Sequence, residues 1–184
     1  GHTQVYALRE QRNPAFPDMS QPEPIARNLK GLSEEVVKLH ASIGLALDGD
    51  ADRLGVVDEN GFYLNTLQVF ALLTWYLLEF RGQRGALVKS ITTTDMIYKL
   101  GKIYKVPVFE TPVGFKFLGP TMTEHNALIA GEESGGYAFR NHIPERDGIL
   151  SGLYLLDLMA RTGKTPSNLL RELEHMVGTH RYDR

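Results

Sequence analysis

Residues 43–64 read IGLALDGDADRLGVVDENGFYL, which places an acidic loop between short apolar segments. Residues 43–47 and 54–58 have the length and the apolar character of β-strands. The dipeptide Asn60-Gly61 indicates a hairpin turn into a further short strand, because both residues tolerate the backbone angles that a tight turn requires. The sequence therefore predicts that the acidic loop lies where a strand ends.

Downstream of this stretch, predicted helices alternate with short apolar strands. The predicted helices are residues 66–80, 95–104, 148–161 and 167–177, with a shorter one after residue 115, and the predicted strands are residues 86–90, 106–110 and 127–130. This alternation is typical of a sheet covered by helices. The predicted fold class is therefore α/β, a layered α/β/α domain with a mixed sheet, preceded by a partial α/β domain.

The residues before the acidic loop are less regular. The predictions are a short strand at residues 5–8, a proline-containing loop at residues 11–24, and two short helices within residues 25–39, interrupted at residues 31–33. This part looks like half a domain, whereas the helices and strands after residues 61–64 form a full α/β set. We expect a domain boundary there.

The composition excludes several classes of function. The formal net charge is −2 and the basic residues are scattered, so neither nucleic acid nor a membrane surface is an expected partner. The absence of cysteine excludes disulfides and thiolate metal sites, and it is compatible with a reducing cytoplasm. The most apolar stretch, residues 67–80, falls short of the roughly 20 residues that span a bilayer and indicates a buried helix.

Three aspartates, Asp48, Asp50 and Asp52, alternate along the acidic loop. Alternate side chains of an extended segment point to the same side, so these carboxylates can converge on one point. Three hard oxygen donors suit Mg²⁺, which keeps further positions for water or phosphate oxygens. Arg53 follows directly and offers a planar fork for a phosphate. The loop is therefore predicted to bind Mg²⁺ and a phosphorylated ligand.

Two other interpretations of the acidic loop remain open. The loop could be a solvated turn between strands. It could also be a Ca²⁺ loop of the EF-hand type in a structural module, because its three aspartates and Glu59 occupy the first, third, fifth and twelfth positions of such a loop. Against calcium, Arg53 stands where that loop needs glycine, and the flanking segments are predicted strands.

A second polar loop, residues 131–136 with the sequence GEESGG, follows a predicted strand. Its glycines allow the backbone to curve, so Glu132 and Ser134 can present acceptors and a donor to sugar hydroxyls. Alone, such a loop would be interpreted as an ordinary surface turn. Its pairing with the acidic loop favours a sugar-phosphate ligand.

The string at residues 48–53 matches the Asp-Gly-Asp-x-Asp-Arg pattern of the metal-binding loop of the α-D-phosphohexomutases, the family of phosphoglucomutases and phosphomannomutases. The loop GEESGG is similar to the sugar-specificity loop of that family, some of whose members have a histidine in place of Gly136. This resemblance, which covers nearly the whole chain, implies that the three aspartates hold Mg²⁺ and that Arg53 contacts phosphate. It also implies that Glu132 and Ser134 bind the hexose.

Two further segments resemble the family less specifically. Residues 111–116 are similar to a family loop, which implies substrate binding by Gly114 and Lys116. Lys89 ends a predicted strand as the family's active-site lysine does, and it is the candidate for proton transfer or phosphate neutralisation, alongside Arg53 as the second catalytic candidate. Asp147 opens a predicted helix and is interpreted as a structural N-cap.

The family reaction interconverts hexose 1-phosphate and 6-phosphate through a phosphoserine and a bisphosphate, with glucose 1,6-bisphosphate as activator. The serine motif Thr-x-Ser-His-Asn-Pro and the C-terminal phosphate loop Arg-x-Ser-Gly-Thr do not occur in the sequence. We therefore expect a fragment that needs the N-terminal and C-terminal domains of the same enzyme and lacks turnover alone. Residues 1–62 would be the C-terminal half of domain 2, residues 63–178 domain 3, and residues 179–184 the start of a linker. A stand-alone sugar-phosphate binding module is the alternative.

Overall fold

The computed structural model describes residues 3–180. The start of the predicted first domain, residues 1–2, and most of the predicted linker, residues 181–184, lie outside the described residues. Within residues 3–180, none of the helices combines the length and the apolar character that a membrane crossing requires.

The first part of the chain builds a small antiparallel sheet with one helix against it. Its elements are a 3-10 turn at Ala26–Asn28, helix α1 (Lys30–Lys38) and strands β1 (Gly44–Leu47), β2 (Leu54–Val57) and β3 (Tyr63–Leu64). The strand order is β1-β2-β3 with both pairs antiparallel, and the predicted hairpin between β2 and β3 is confirmed. Val36 on α1 packs with Val57 on β2, which attaches the helix to the sheet.

The second part is a mixed sheet with helices on both faces. Its strands are β4 (Leu87–Ser90), β5 (Val108–Thr111), β6 (Ile129–Gly131) and β7 (Tyr137–Phe139), and its helices are α2 (Thr66–Trp75, continued by a π-helical turn at Tyr76–Phe80), α3 (Met96–Tyr104), α4 (Phe115–Glu124), α5 (Gly148–Thr162) and α6 (Pro166–Val177). The order is β5-β4-β6-β7, in which β4 runs parallel to both neighbours and β7 is antiparallel to β6. The predicted layered α/β fold with a mixed sheet is confirmed.

The apolar core joins the two sheets. Side chains alternate between the two faces along β4, so Leu87 lies in the core with α2 and α3, and Val88 lies in a smaller core against α4. Leu54, Val56 and Leu64 from the first sheet lie in the same large core as α2 and α5. Burial of this shared apolar surface fixes the first sheet against the second part, and with it the loop that follows β1.

Two local predictions were wrong, and one strand was missed. Residues 5–8 form no strand: Val5 is 81% exposed, and a strand without a partner leaves its backbone groups unpaired. The predicted break at residues 31–33 lies inside α1, where Gly31 has open space around it and the helix tolerates it. Strand β7 was not predicted, because its three apolar residues are too few for a periodic pattern.

Glu59, in the turn between β2 and β3, reaches across to the start of α6. Its carboxylate accepts hydrogen bonds from Ser167 Oγ at 2.5 Å and from Ser167 N at 3.3 Å, so it satisfies a backbone donor that the helix leaves open. Burial acts to raise the pKa of this carboxyl, but hydrogen bonds from Ser167, Thr165 and the backbone together outweigh it, and the pKa lies below the ordinary value. A residue of the first sheet thus caps a helix of the second part.

We predict that Glu59→Ala lowers the free energy of unfolding by about 1 kcal/mol at pH 7, as loss of a helix cap does. Because the pKa of Glu59 is lowered in the folded state, its contribution is present above the unfolded pKa and is lost as the pH falls through the folded one. Urea unfolding at pH 7 and at acidic pH measures both effects. Glu34→Ala, on the exposed face of α1, is the control and should change stability by less than about 0.5 kcal/mol. Equal losses in the two variants would contradict the capping role.

Candidate functional site

The loop between β1 and β2 brings the three predicted metal ligands together. One carboxylate oxygen from each of Asp48, Asp50 and Asp52 lies within 4.8 Å of the others. The loop turns at Ala51, which has a left-handed φ of 62° and donates its N–H to the carbonyl of Asp48. An all-oxygen cluster of this size fits a hard divalent cation, and the exposed Asp50 leaves one side open to water or phosphate.

The carboxyl groups of Asp48 and Asp52 affect each other's pKa. Burial, followed by a hydrogen bond with Asp48, raises the pKa of Asp52 to about 6, against the attraction of Arg146. Burial also acts to raise the pKa of Asp48, but hydrogen bonds from the side chain and backbone of Arg53 outweigh it and hold that pKa below its usual value. The site therefore concentrates negative charge that a cation would relieve.

Arg53 is bound to carboxylates on two sides. Its Nε donates to Asp48 Oδ2 at 2.6 Å and its backbone N to Asp48 Oδ1 at 3.1 Å, while Nη1 donates to Glu23 Oε1 at 3.1 Å. A phosphate would have to share this guanidinium with both carboxylates. Phosphate contact by Arg53 therefore remains a prediction.

The second polar loop connects β6 to β7, and two of its residues are joined by a hydrogen bond. Glu132 is 5% exposed and accepts from Ser134 Oγ at 2.7 Å through Oε1. Glu133 turns the other way: its backbone carbonyl accepts from Thr66 Oγ1 at 2.6 Å and its carboxylate accepts from Ser90 Oγ at 3.1 Å. Glu132 and Ser134 are therefore fixed side by side, as recognition of a hydroxyl-rich ligand requires.

The loop at residues 131–136, called the sugar loop below because of its resemblance, contacts the acidic loop through backbone atoms. Leu54 N donates to the carbonyl of Gly135 at 3.0 Å, and Arg53 forms an antiparallel β-bridge with Gly136. Gly135 has a left-handed φ of 91°, and a Cβ there would lie 2.9 Å from the carbonyl oxygen of Leu54. Only glycine permits this approach without strain. The two loops, which the sequence analysis paired, are therefore in direct contact.

Arg146, which the sequence analysis did not name as a site residue, lies between the two loops and contacts both. Its Nη2 lies 2.6 Å from Asp52 Oδ2 and its Nη1 lies 3.0 Å from Glu132 Oε1, so one guanidinium links the two loops. Its Cδ fills the space that a side chain at Gly136 would occupy. The neighbouring N-cap prediction is confirmed, because Asp147 accepts from Leu150 N at 2.8 Å. The available indication was an arginine directly before the predicted N-cap, in a segment that was interpreted as structural.

Lys89 lies apart from this network. Its side chain is 1% exposed, its Nζ lies 2.7 Å from Glu110 Oε2, and it sits 4.8 Å from the centroid of the Tyr98 ring. The ion pair lowers the pKa of Glu110. The ammonium is therefore already paired, and a role in proton transfer remains a prediction.

The other two predicted ligand residues stand at the start of α4. Gly114 has a φ of 116° and precedes the helix, and Lys116 is exposed with its Nζ 5.0 Å from the centroid of the Phe117 ring. The contact from this segment to the site comes from Phe115, whose ring lies 5.6 Å from the guanidinium carbon of Arg146. Substrate contact by Gly114 and Lys116 stays a prediction.

The position of Glu59 bears on the calcium interpretation. An EF-hand loop needs the residue at its twelfth position to turn back onto the cation. Here Glu59 binds the start of α6, and strands flank the acidic loop on both sides. The geometry disfavours a calcium loop of that type.

Comparison with known proteins gives concordant matches. The family model of the phosphoglucomutase/phosphomannomutase α/β/α domain III matches residues 65–176, and that of domain II matches residues 1–61. A phosphoglucomutase/phosphomannomutase of Thermococcus kodakarensis is 38% identical over 83% of this chain and 33% of its own length. A phosphoglucosamine mutase of Campylobacter curvus is 33% identical over 78% of this chain and 32% of its own length.

Solved structures agree with these matches. The crystal structure of a putative phosphomannomutase from Thermus thermophilus superposes with a TM-score of 0.83 at 40% identity, covering 88% of this chain and 37% of that one. The phosphoglucomutase parafusin from Paramecium gives a TM-score of 0.73 at 27% identity, covering 86% of this chain and 30% of that one. The chain spans about a third of the length of the curated relatives it matches.

We predict that Gly136→Ala destabilises the protein by about 1–2 kcal/mol, because the new methyl group displaces Arg146 from Asp52 and Glu132. Urea unfolding measures the loss. Gly31→Ala is the matched control: it lies in open space within α1 and should stabilise the protein by up to about 1 kcal/mol. In an Arg146→Ala background, which lacks the Cγ and Cδ atoms that the new methyl group would meet, the cost of Gly136→Ala should shrink. An unchanged cost there would show that Arg146 is not what glycine accommodates.

Proposed function

Because the chain belongs to the phosphoglucomutase/phosphomannomutase family, we propose that it forms the metal-binding and sugar-binding centre of an α-D-phosphohexomutase. The reaction of the whole enzyme would interconvert hexose 1-phosphate and 6-phosphate, an intramolecular transfer that proceeds through a phosphoserine and a bisphosphate. Residues 1–62 would belong to the metal-binding domain and residues 63–178 would form the sugar-binding domain. The phosphoserine and a second phosphate site would come from N-terminal and C-terminal domains.

The observation that carries this proposal is the pairing of the two loops. The backbone of Arg53 and Leu54 lies against that of Gly135 and Gly136, and Arg146 contacts both Asp52 and Glu132, so the aspartate cluster and the Glu132–Ser134 pair belong to neighbouring loops. A ligand with phosphate and hydroxyl groups close together would contact both sides at once. A hexose phosphate carries both kinds of group.

The residues of this chain would divide the work as follows. Asp48, Asp50 and Asp52 would hold Mg²⁺, which when bound neutralises charge on the phosphoryl oxygens. Glu132 and Ser134 would orient the hexose through its hydroxyls. Arg53 would share its guanidinium with the phosphate. Catalysis by such a site rests on positioning and on charge neutralisation, because the transferred group requires little covalent help from the protein.

Further assignments complete the proposal. Lys89 would transfer a proton or neutralise phosphate, provided that substrate competes with Glu110 for its ammonium group. Gly114 and Lys116 would line the substrate from the start of α4, and Arg146 would contact it from the centre of the site. Glucose 1,6-bisphosphate would act as activator, and the enzyme would work in the cytoplasm. The substrate class is a phosphorylated hexose of the glucose, mannose or glucosamine series.

The proposal predicts that Mg²⁺ binds the chain and that Asp50→Ala weakens this binding at least tenfold, since one of three charged ligands is lost. Asp50 is exposed and its side chain makes no hydrogen bond within the described residues, so its loss should leave the fold intact. Asp95→Ala, at another exposed aspartate, is the control. Isothermal titration calorimetry with each protein measures the affinities.

The same titrations in the presence of glucose 1,6-bisphosphate test the ligand. Binding of Mg²⁺ should strengthen when the bisphosphate is present, and the chain alone should show no mutase turnover. Tight, selective binding of Ca²⁺ that the bisphosphate does not affect would contradict the proposal and favour a calcium-stabilised structural module. Binding of the bisphosphate by a protein that acts without further domains would favour the alternative, a stand-alone sugar-phosphate binding module.

A further inference from the structure

Residues 13–24, which we call the strap, lie against the acidic loop although they contain no helix or strand. Phe16 and Pro22 press on Gly49: a Cβ at this glycine would lie 3.2 Å from Phe16 Cζ and 3.5 Å from Pro22 Cγ. Near the end of the strap, Glu23 Oε1 accepts from Arg53 Nη1 at 3.1 Å. The strap thus meets the metal loop at its backbone and at its arginine.

The end of the strap is anchored to the body of the protein. Asn28 Nδ2 donates to the carbonyls of Gln21 and Glu23, at 2.9 Å and 2.8 Å. The carbonyl oxygen of Pro24 occupies the space beside Gly55, in the middle of β2, where any side chain would overlap it. Glu23 is therefore presented from a fixed backbone, as a supporting residue of a binding site needs to be.

The pair of Glu23 and Arg53 differs from an ordinary surface ion pair. The two side chains are only 28% and 25% exposed, and Arg53 simultaneously binds Asp48. An exposed ion pair contributes little to stability. A mostly buried guanidinium that two carboxylates share, in contrast, has a defined orientation. The orientation of Arg53 in turn sets that of the Asp48 carboxylate, both of whose oxygens accept from it.

Glu23 also affects the charge around the aspartate cluster, because it limits how far the Arg53 guanidinium can turn towards it. Arg53 Nε already lies 3.7 Å from Asp52 Oδ1, so a guanidinium released by Glu23 could turn fully onto the aspartate cluster. It would then compete with a cation for the same carboxylates. With Glu23 in place, the guanidinium is divided between the strap and Asp48, just as Arg146 is divided between Glu132 and Asp52.

We propose that Glu23 is a positioning residue for the cation site: through Arg53 it orients Asp48 and keeps the aspartate cluster available to a divalent metal. This inference rests on the proposed binding of a divalent cation to that cluster. It assigns a role to the strap, which the sequence analysis treated as a connecting loop. Outer residues that orient metal ligands typically change affinity by roughly 10-fold to 100-fold when altered.

The test uses Mn²⁺ as the probe, with free Mn²⁺ measured by electron paramagnetic resonance during titration of the whole chain. Glu23→Gln keeps the reach of the side chain without its charge, and Glu23→Asp keeps the charge without the reach. Each should weaken Mn²⁺ binding about tenfold, because positioning of Arg53 requires both properties. Glu35→Gln removes a partly buried carboxylate that pairs with Lys38 on α1, and it should leave the affinity unchanged.

A double-mutant cycle with Arg53→Met identifies the route of the effect. In that background Glu23→Gln should change the affinity less than about twofold, because the residue through which Glu23 acts is gone. If Glu23→Asp binds like the wild type, or if the effect of Glu23→Gln persists without Arg53, Glu23 acts only through its charge and the inference is wrong. If the wild type binds no Mn²⁺, or Asp50→Ala makes no difference, the proposed metal site itself fails.

Discussion

Mutual repulsion among Asp48, Asp50 and Asp52, whose carboxylates lie within 4.8 Å of one another, is the constraint on which the surrounding structure depends. At such separations like charges disfavour ionisation, and burial, a hydrogen bond with Asp48 and this repulsion together raise the pKa of Asp52. Two arginines offset the repulsion from opposite sides of the loop. Each is also bound to a glutamate from elsewhere in the chain, so the cluster stays negative and its geometry stays fixed.

This arrangement ties remote parts of the chain to one loop. Arg53 connects the loop to Glu23 near the N-terminus, and Arg146 connects it to Glu132 in the sugar loop. The backbone must approach closely for these contacts to form: Gly148 N donates to the carbonyl of Ala51, and a Cβ on Gly148 would lie 2.6 Å from the carbonyl oxygen of Arg53. Glycines at the contact points therefore determine how the helices and strands described above can assemble around the site.

The sequence predicted the features that depend on local pattern. Alternating aspartates after an apolar strand, and a glycine-rich loop after another, indicated the two loops of the candidate site, and periodicity located most helices and strands. Features that depend on tertiary contact were not predictable. Strand β7 exists because β6 offers it a partner, Arg146 matters because Gly136 leaves room for its side chain, and Glu59 caps a helix 108 positions away. Lys89, in contrast, is a residue type that can act in catalysis, but its position in the fold pairs it with Glu110.

The central claim is that the aspartate cluster and the sugar loop form one site. The most direct test is paramagnetic broadening of backbone amide signals by substoichiometric Mn²⁺, measured by NMR on the wild type and on Asp50→Ala. The account predicts that Mn²⁺ broadens the signals of residues 48–53 and of residues 132–136 together, and that Asp50→Ala abolishes both effects. Broadening confined to the acidic loop, or strongest in a different part of the chain, would contradict it.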